Sequence, residues 1–162
     1  MNTLPSFEFE LTVNYDNYKD WVSRFDDYMK QKVTRSRSKW ALGDFTESYR
    51  TDTYPDGLVK MSRKLQIYKQ KEPLGEFTIS AEEDVDFVTG EDAVVRDWYY
   101  AHFTYENYNF RVSFRYGKNH KNYKLEIEFP TQNDYFNNKK KIAEILENGI
   151  DPEKCNFIFC NY

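Results

Sequence analysis

The sequence predicts a mostly β, α+β fold: a closed eight-stranded antiparallel β-barrel flanked by helices near residues 16–33 and 134–147. Three observations point there. Stretches of polar–apolar alternation recur at the spacing of antiparallel strands, which by itself fits a closed barrel or a sandwich. Aromatic residues reach 19%, with 14 Tyr and 13 Phe, and they favour strands. An A+T-rich coding bias, as in many large DNA viruses, would give the same surplus. The polar faces of several strands also sort by sign of charge, an arrangement that closing the sheet would explain.

Residues 7–13 alternate without a break: Phe7, Phe9, Leu11 and Val13 point one way, Glu8, Glu10 and Thr12 the other. A helix follows, with Asp16 or Asn17 as N-cap. Tyr18, Trp21, Val22, Phe25 and Met29 share one face, opposite Lys19, Arg24, Asp27 and Lys30. The polar, basic stretch from Thr34 to Lys39 reads as a solvated loop. Tyr54-Pro-Asp-Gly57 is a turn, because Pro presets φ and Gly accepts a positive one. It joins strands near 45–53 and 58–63, and a further strand covers 65–71 before Pro73. Alternation resumes from Glu76 to Glu82, and an acidic loop with Gly90 runs from Glu82 to Asp92. Residues 94–105, 109–116 and 122–129 read as three consecutive antiparallel strands with a turn from Gly117 to Lys121. The second helix is capped by Asn133 or Asp134 and ended by Gly149 and Pro152.

A length of 162 residues suits one domain over 1–162, with 150–162 as a C-terminal tail or the stump of a connection to something larger. Apolar content of 40% and charged content of 31% exclude a disordered chain. No apolar run approaches the roughly 20 residues of a membrane span, and the N-terminus lacks a basic-then-apolar pattern. An intracellular protein with no membrane partner is therefore expected. A net charge of -4 excludes nucleic-acid binding through overall basicity, though not a local basic site. Cys155 and Cys160 make neither a disulfide framework nor a zinc site, and His102 and His120 are too few for a histidine-metal cluster. Oxygen ligands are the metal chemistry this chain can offer. No Gly-x-Ser-x-Gly, Gly-x-Gly or Walker spacing occurs, which argues against a nucleophile elbow or a phosphate-cradling loop.

Glu8 and Glu10 share one strand face, as do Glu126 and Glu128, and Arg111, Ser113 and Arg115 share another. Like charges at i and i+2 repel unless something of opposite sign lies between them. If the aromatic faces turn outward under the helices, the charged faces line the inside. Such an interior is costly unless wet, paired, or filled by ligand and metal. Carboxylates would hold a hard divalent cation there, and Arg and Lys would hold phosphate oxygens.

These motifs resemble the triphosphate tunnel metalloenzyme family, and within it the RNA 5′-triphosphatases of fungal and large-DNA-virus mRNA capping. Glu8 and Glu10 match the family's first Glu-x-Glu strand; Glu126 and Glu128 match the second, just before a C-terminal helix. Phe110-Arg-Val-Ser-Phe is similar to the basic strand that precedes it, and Ile79-Ser-Ala-Glu-Glu to the segment with an extra tunnel glutamate, here Glu82. Asp52 through Arg63, then Ile67 to Lys71, resemble the middle hairpin and its phosphate-facing cations. The resemblance implies Mg²⁺ or Mn²⁺ on Glu8, Glu10, Glu126 and Glu128. It implies Glu82 as a catalytic residue orienting water, and phosphate contacts from Lys60, Arg63, Lys69, Lys71, Arg96, Arg111 and Arg115. Lys69 and Lys71 share parity with Ile67, so a bulge would be needed to turn them inward. The implied substrate is 5′-triphosphate RNA or a nucleoside triphosphate, the implied partner a guanylyltransferase or other capping subunit, and the location the cytoplasm, a viral factory or a virion.

Two departures stand out. Thr12 occupies the place of a Lys in the CYTH branch, which argues against a thiamine-triphosphatase or adenylyl-cyclase type. The usual cations near 96–100 thin to Arg96, followed by Trp98 and Tyr100. The alternative function is a non-catalytic barrel acting as a viral accessory, small-ligand-binding or capping-subunit interaction module. It expects the four glutamates exposed or locked to Arg and Lys.

Overall fold

The computed structural model describes residues 6–86 and 93–158. Its strands are β1 (Ser6–Val13), β2 (Gln31–Leu42), β3 (Phe45–Thr53), β4 (Val59–Glu72), β5 (Gly75–Asp84), β6 (Val94–Tyr105), β7 (Tyr108–Gly117), β8 (His120–Phe129) and the short β9 (Asn156–Ile158). One α-helix, α1 (Gln132–Asn148), and 3-10 helices at Tyr15–Asn17, Val22–Tyr28 and Pro152–Lys154 complete it. The sheet runs β2-β3-β4-β5-β1-β8-β7-β6 with antiparallel neighbours, and β6 returns to β2 from Gln31↔Tyr100 to Arg37↔Val94. That last pairing closes an eight-stranded barrel. β9 lies on β6 at His102 to Thr104, within the segment expected to be a tail.

The register fixes which face is inside. Glu8 opposes Ser80 on β5, Glu10 opposes Glu128 on β8, and Arg111 opposes Glu126 and His102. The polar residues of these strands therefore point inward and the aromatic and aliphatic ones outward. Leu11, Phe77, Phe103, Phe110, Val112, Leu125 and Ile127 form the core between barrel and helices, where they meet Phe25, Tyr135, Ile142 and Leu146. Phe25 stacks on Phe103 at 5.0 Å and Tyr135 on Phe77 at 4.6 Å. Among the described residues, none of the buried core cluster comes from β2 or β3. The helices cover one half of the barrel; on the other half β2 to β4 turn charged side chains inward, and the apolar residues of their outer face, such as Trp40, Leu42, Phe45 and Val59, stay exposed.

That division explains where the structure departs from the sequence reading. Thr34 to Lys39 is strand, not loop, in the middle of β2. With no helix outside it, β2 needs no apolar face, so its alternation of Arg and Lys with Thr and Ser carries no hydrophobic signal. The strands expected at 58–63 and 65–71 are one, β4, broken in register between Gln66 and Tyr68. The total of eight survives because the missed strand offsets the split one. The helix expected over 16–33 is two 3-10 segments that end at Tyr28, and the chain is strand from Gln31. Its predicted apolar face is nonetheless the buried one: Tyr18, Trp21, Val22, Phe25 and Met29.

Helix α1 is capped by Thr131 rather than Asn133 or Asp134. The Thr131 hydroxyl oxygen accepts the Asp134 N–H at 3.2 Å, the reach of an N-cap side chain to the third helical residue. Gly149, at φ 84°, ends the helix. The Tyr54–Gly57 turn forms as expected, with the Gly57 N–H donating to the Tyr54 carbonyl at 2.9 Å. Strand β5 continues to Asp84, past the Glu82 at which a loop was expected. Gly90, the rest of that loop from 87 to 92, and Cys160 lie outside the described residues. Among the described residues, no helix is long and apolar enough to cross a membrane.

Candidate active site

Glutamates from three adjacent strands converge inside the barrel. β1 contributes Glu8 and Glu10, β8 contributes Glu126 and Glu128, and β5 contributes Glu82; all five line one cavity of about 400 Å³. β2 and β3 contribute Arg35 and Arg50 to the same cavity, β4, next to β5, contributes Lys60 and Lys64, and β7, next to β8, contributes Arg111. An acidic wall thus meets a basic one.

Both walls hold like charges in direct opposition, which is unfavourable in an isolated sheet. Glu10 sits opposite Glu128. Arg37 sits opposite Arg50, and Arg35 opposite Arg96. Ion pairs within the barrel relieve part of this. Lys64 reaches Glu8 at 3.2 Å, Arg50 reaches Glu82 at 2.7 Å, and Arg35 reaches Asp52 at 2.8 Å. The Arg111 guanidinium donates to Glu126 from Nε at 3.0 Å and from Nη2 at 2.8 Å, and lies 3.5 Å from Glu10. The Arg50 Nε–H is buried and has no partner among the described residues, a donor that a phosphate oxygen could satisfy.

The carboxyls are also paired with one another. Burial and the neighbouring Glu126 charge push Glu10 up to about 8. Burial opposes ionisation of Glu126 too, but Arg111 beside it and the hydrogen bond from Glu10 hold it well below the usual range. One proton is shared between the two. Glu8 and Glu82 repeat the pattern. Burial raises Glu82 and the Glu8 hydrogen bond adds to it; for Glu8 the bond to Glu82 and the Lys64 ammonium outweigh burial and bring it down to about 2. His102 is held down to about 4 by burial and the Arg111 charge, and is therefore neutral near pH 7.

Two carboxyl pairs close enough to share protons fit a hard divalent cation in donor chemistry, since such an ion takes oxygen ligands and displaces protons. Among the described residues, however, no three acidic, His or Cys side chains already converge as a metal-holding group. Arg111, Lys64 and Arg50 supply the counter-charge instead.

The shared proton makes a stability prediction. A carboxyl whose folded pKa is near 8 contributes stability that is complete below its unfolded value of 4.5 and is lost as pH rises through 8. Glutamine mimics the protonated form. Metal-free Glu10→Gln should therefore melt at a higher temperature than the parent at pH 9 and close to it at pH 5. A variant less stable at both pH values would contradict the pairing.

Of the other expected contacts, Lys60 lines the cavity. Arg115 shares the inward face of β7 with Arg111, its guanidinium carbon 5.8 Å from the Trp98 ring centroid. Arg96 is on the inward face of β6 but exposed. The bulge between Gln66 and Tyr68 pairs Lys69 with Thr78 and Lys71 with Glu76, which turns both lysines to the tunnel side; Lys69 lies 3.5 Å from Glu76. Arg63 is a correction. It projects from the outer face, where it donates to Glu47 at 2.6 Å and Glu83 at 3.2 Å, because its parity is opposite to that of Lys60 and Lys64. The residues missed are Arg35, Arg37, Lys39, Arg50, Lys64 and Lys124. The period-two alternation Arg35-Ser-Arg-Ser-Lys39, the same kind of pattern recognised at 111–115, was the available signal for three of them.

By sequence, the chain matches no protein-family model and no curated protein. By structure, it is similar to a candidate adenylate cyclase from Bacillus halodurans, with a TM-score of 0.50 and 12% identity over 93% of this chain and 94% of that one. A candidate adenylyl cyclase from Hippeastrum, described as revealing a dominant triphosphatase activity, aligns with a TM-score of 0.48 and 10% identity over 85% of this chain and 86% of that one. At 12% identity the first likeness shows the shared tunnel fold alone.

Proposed function

We propose that this protein is a divalent-metal-dependent triphosphatase of the triphosphate tunnel type, hydrolysing the γ-phosphate of 5′-triphosphate RNA and of nucleoside triphosphates. The observation that carries the reading is the pair of oppositely charged walls in one closed barrel, each with like charges face to face. An acidic wall asks for a cation, a basic wall for an anion, and a metal-bound polyphosphate supplies both. Mg²⁺ or Mn²⁺, held by Glu8, Glu10, Glu126 and Glu128, would neutralise charge on the transferring phosphoryl group. Arg50, Lys60, Lys64 and Arg111 bind and orient the phosphate oxygens, with Lys69, Lys71, Arg96 and Arg115 along the same inner face. Glu82, hydrogen-bonded to Glu8 and ion-paired to Arg50, would orient the attacking water.

The RNA-capping assignment rests on the motif order from Glu8 to Glu128, and implies a guanylyltransferase or other capping subunit as partner. Thr12, in place of the CYTH-branch lysine, supports the RNA branch over a cyclase. Phosphate release in Mn²⁺ at matched concentrations tests it. Turnover of both substrates with RNA ends preferred is expected. Turnover of ATP alone would move the assignment to nucleotides, and release from neither would remove it.

A second reading has its own support. Lys64 on Glu8 and Arg111 on Glu10 and Glu126 are the locked pairs that a non-catalytic barrel would hold. That reading expects the same turnover assay to give no metal-dependent release at all.

A further inference from the structure

The tunnel is not charged all the way round. β6 turns Trp98, Tyr100 and His102 inward at successive alternate positions, and all three line the cavity beside Val33 of β2, which is opposite Trp98 in register. Rings at these positions take places where cations could stand, and their faces offer a stacking surface for which the phosphate chain of an inorganic substrate has no use. His102 is the register partner of Arg111, in the middle of the carboxylate and guanidinium cluster. Trp98 lies four residues back along the same strand, roughly 13 Å away at about 3.3 Å per residue. That separation suits a nucleoside triphosphate extended along the wall, with its γ-phosphate at Arg111 and its base at Trp98. Arg115 already lies over the Trp98 ring at 5.8 Å, so the indole is held by a cation–π contact.

We propose that Trp98, with Tyr100 and Val33 beside it, docks the nucleobase of the substrate, so that the tunnel selects a 5′-triphosphate carried on a nucleoside over inorganic tripolyphosphate. The proposal rests on the triphosphatase reading and adds to it a residue that determines specificity. Base–aromatic stacking is sequence-tolerant and strong enough to matter at one ring. The same chemistry serves a free nucleotide and the first nucleotide of an RNA end.

The test is equilibrium binding of β,γ-methylene ATP, methylene-bridged tripolyphosphate and a short RNA ending in a β,γ-methylene 5′-triphosphate in Mg²⁺, read by tryptophan fluorescence and by competition. Trp21 is buried in the core and Trp40 lies on the outer face of β2 stacked on Tyr49, so neither reports on the tunnel. The ATP analogue should change the fluorescence of the parent. Trp98→Phe, which keeps a ring, should lose that signal while retaining affinity for the analogue. In Trp98→Leu, the preference for the ATP analogue over the tripolyphosphate should fall on the order of tenfold. RNA binding tighter than the ATP analogue would identify an RNA end as the source of the base, and equal or weaker binding a free nucleotide. An unchanged preference in Trp98→Leu, or an undiminished signal in Trp98→Phe, would overturn the proposal while leaving the triphosphatase reading intact. Failure of every triphosphate to bind would overturn both.

Discussion

Glu126→Ala is expected to abolish metal-dependent phosphate release, by at least about 100-fold, while leaving the barrel folded. Glu126 is 4% exposed and is the point where the acidic wall is tied together. It accepts both hydrogen bonds from Arg111, lies 3.4 Å from the Lys124 ammonium, and holds the charge against which Glu10 stays protonated. Without it the proposed cation site would lose one of its carboxylates, and Arg111 would turn to Glu10. Removing one partner of a fully buried pair costs about 3–5 kcal/mol. Here the Arg111 side chain is 35% exposed and keeps Glu10 within 3.5 Å. The stability cost is therefore nearer about 1–2 kcal/mol, and thermal melting separates it from the loss of turnover. A folded Glu126→Ala protein that releases phosphate at the parent rate would exclude the acidic wall as the metal site.

The largest effect on stability is expected at the seam between α1 and the barrel. Tyr135 is 0% exposed, stacks on Phe77 at 4.6 Å, packs against Phe129, and donates its hydroxyl to Glu72 at 2.9 Å. Tyr135→Ala removes a buried aromatic and leaves a cavity, a loss of about 3–5 kcal/mol. For a chain of this size that lowers the melting temperature by on the order of 10 °C. Tyr135→Phe keeps the ring and gives up only the hydroxyl contact, about 1 kcal/mol. Circular-dichroism melts of the two variants give both numbers. An alanine variant melting within a few degrees of the parent would mean that α1 is not anchored through this ring.

What could be read from the sequence follows the division of the barrel into two halves. Under the helices, each strand alternates apolar and polar residues, and β1, β5, β7 and β8 were legible down to which glutamates face inward. The uncovered half carries no such contrast. Over residues 34–39 of β2 the inner face is Arg and Lys and the outer face is Thr and Ser, so a strand that closes the barrel looks like a solvated connector. With it were lost Arg35, Arg37 and Lys39. Lys64 and Arg50 were missed because parity on β3 and β4 is set only by register with β5, which the sequence does not state. The bulge in β4 shows the same limit from the other side: Lys69 and Lys71 turn inward through a one-residue irregularity at Ile67 that no composition signal marks. Arg63 was placed inside for the same reason that Lys64 was overlooked. The aromatic strip on β6 was visible only as a gap in a row of cations, and its meaning depends on knowing that even-numbered residues of that strand face the cavity.

The most direct measurement is phosphate release from ATP by the unmodified protein, first in Mn²⁺, then after excess chelator, then after Mn²⁺ is restored. Release that stops with chelator and returns with metal is the predicted result, and it would establish that the oppositely charged walls act as a metal-dependent triphosphatase. Absence of release under all three conditions, from a protein with an intact melting transition, would contradict it and leave the ion pairs of the barrel as a structural or binding device.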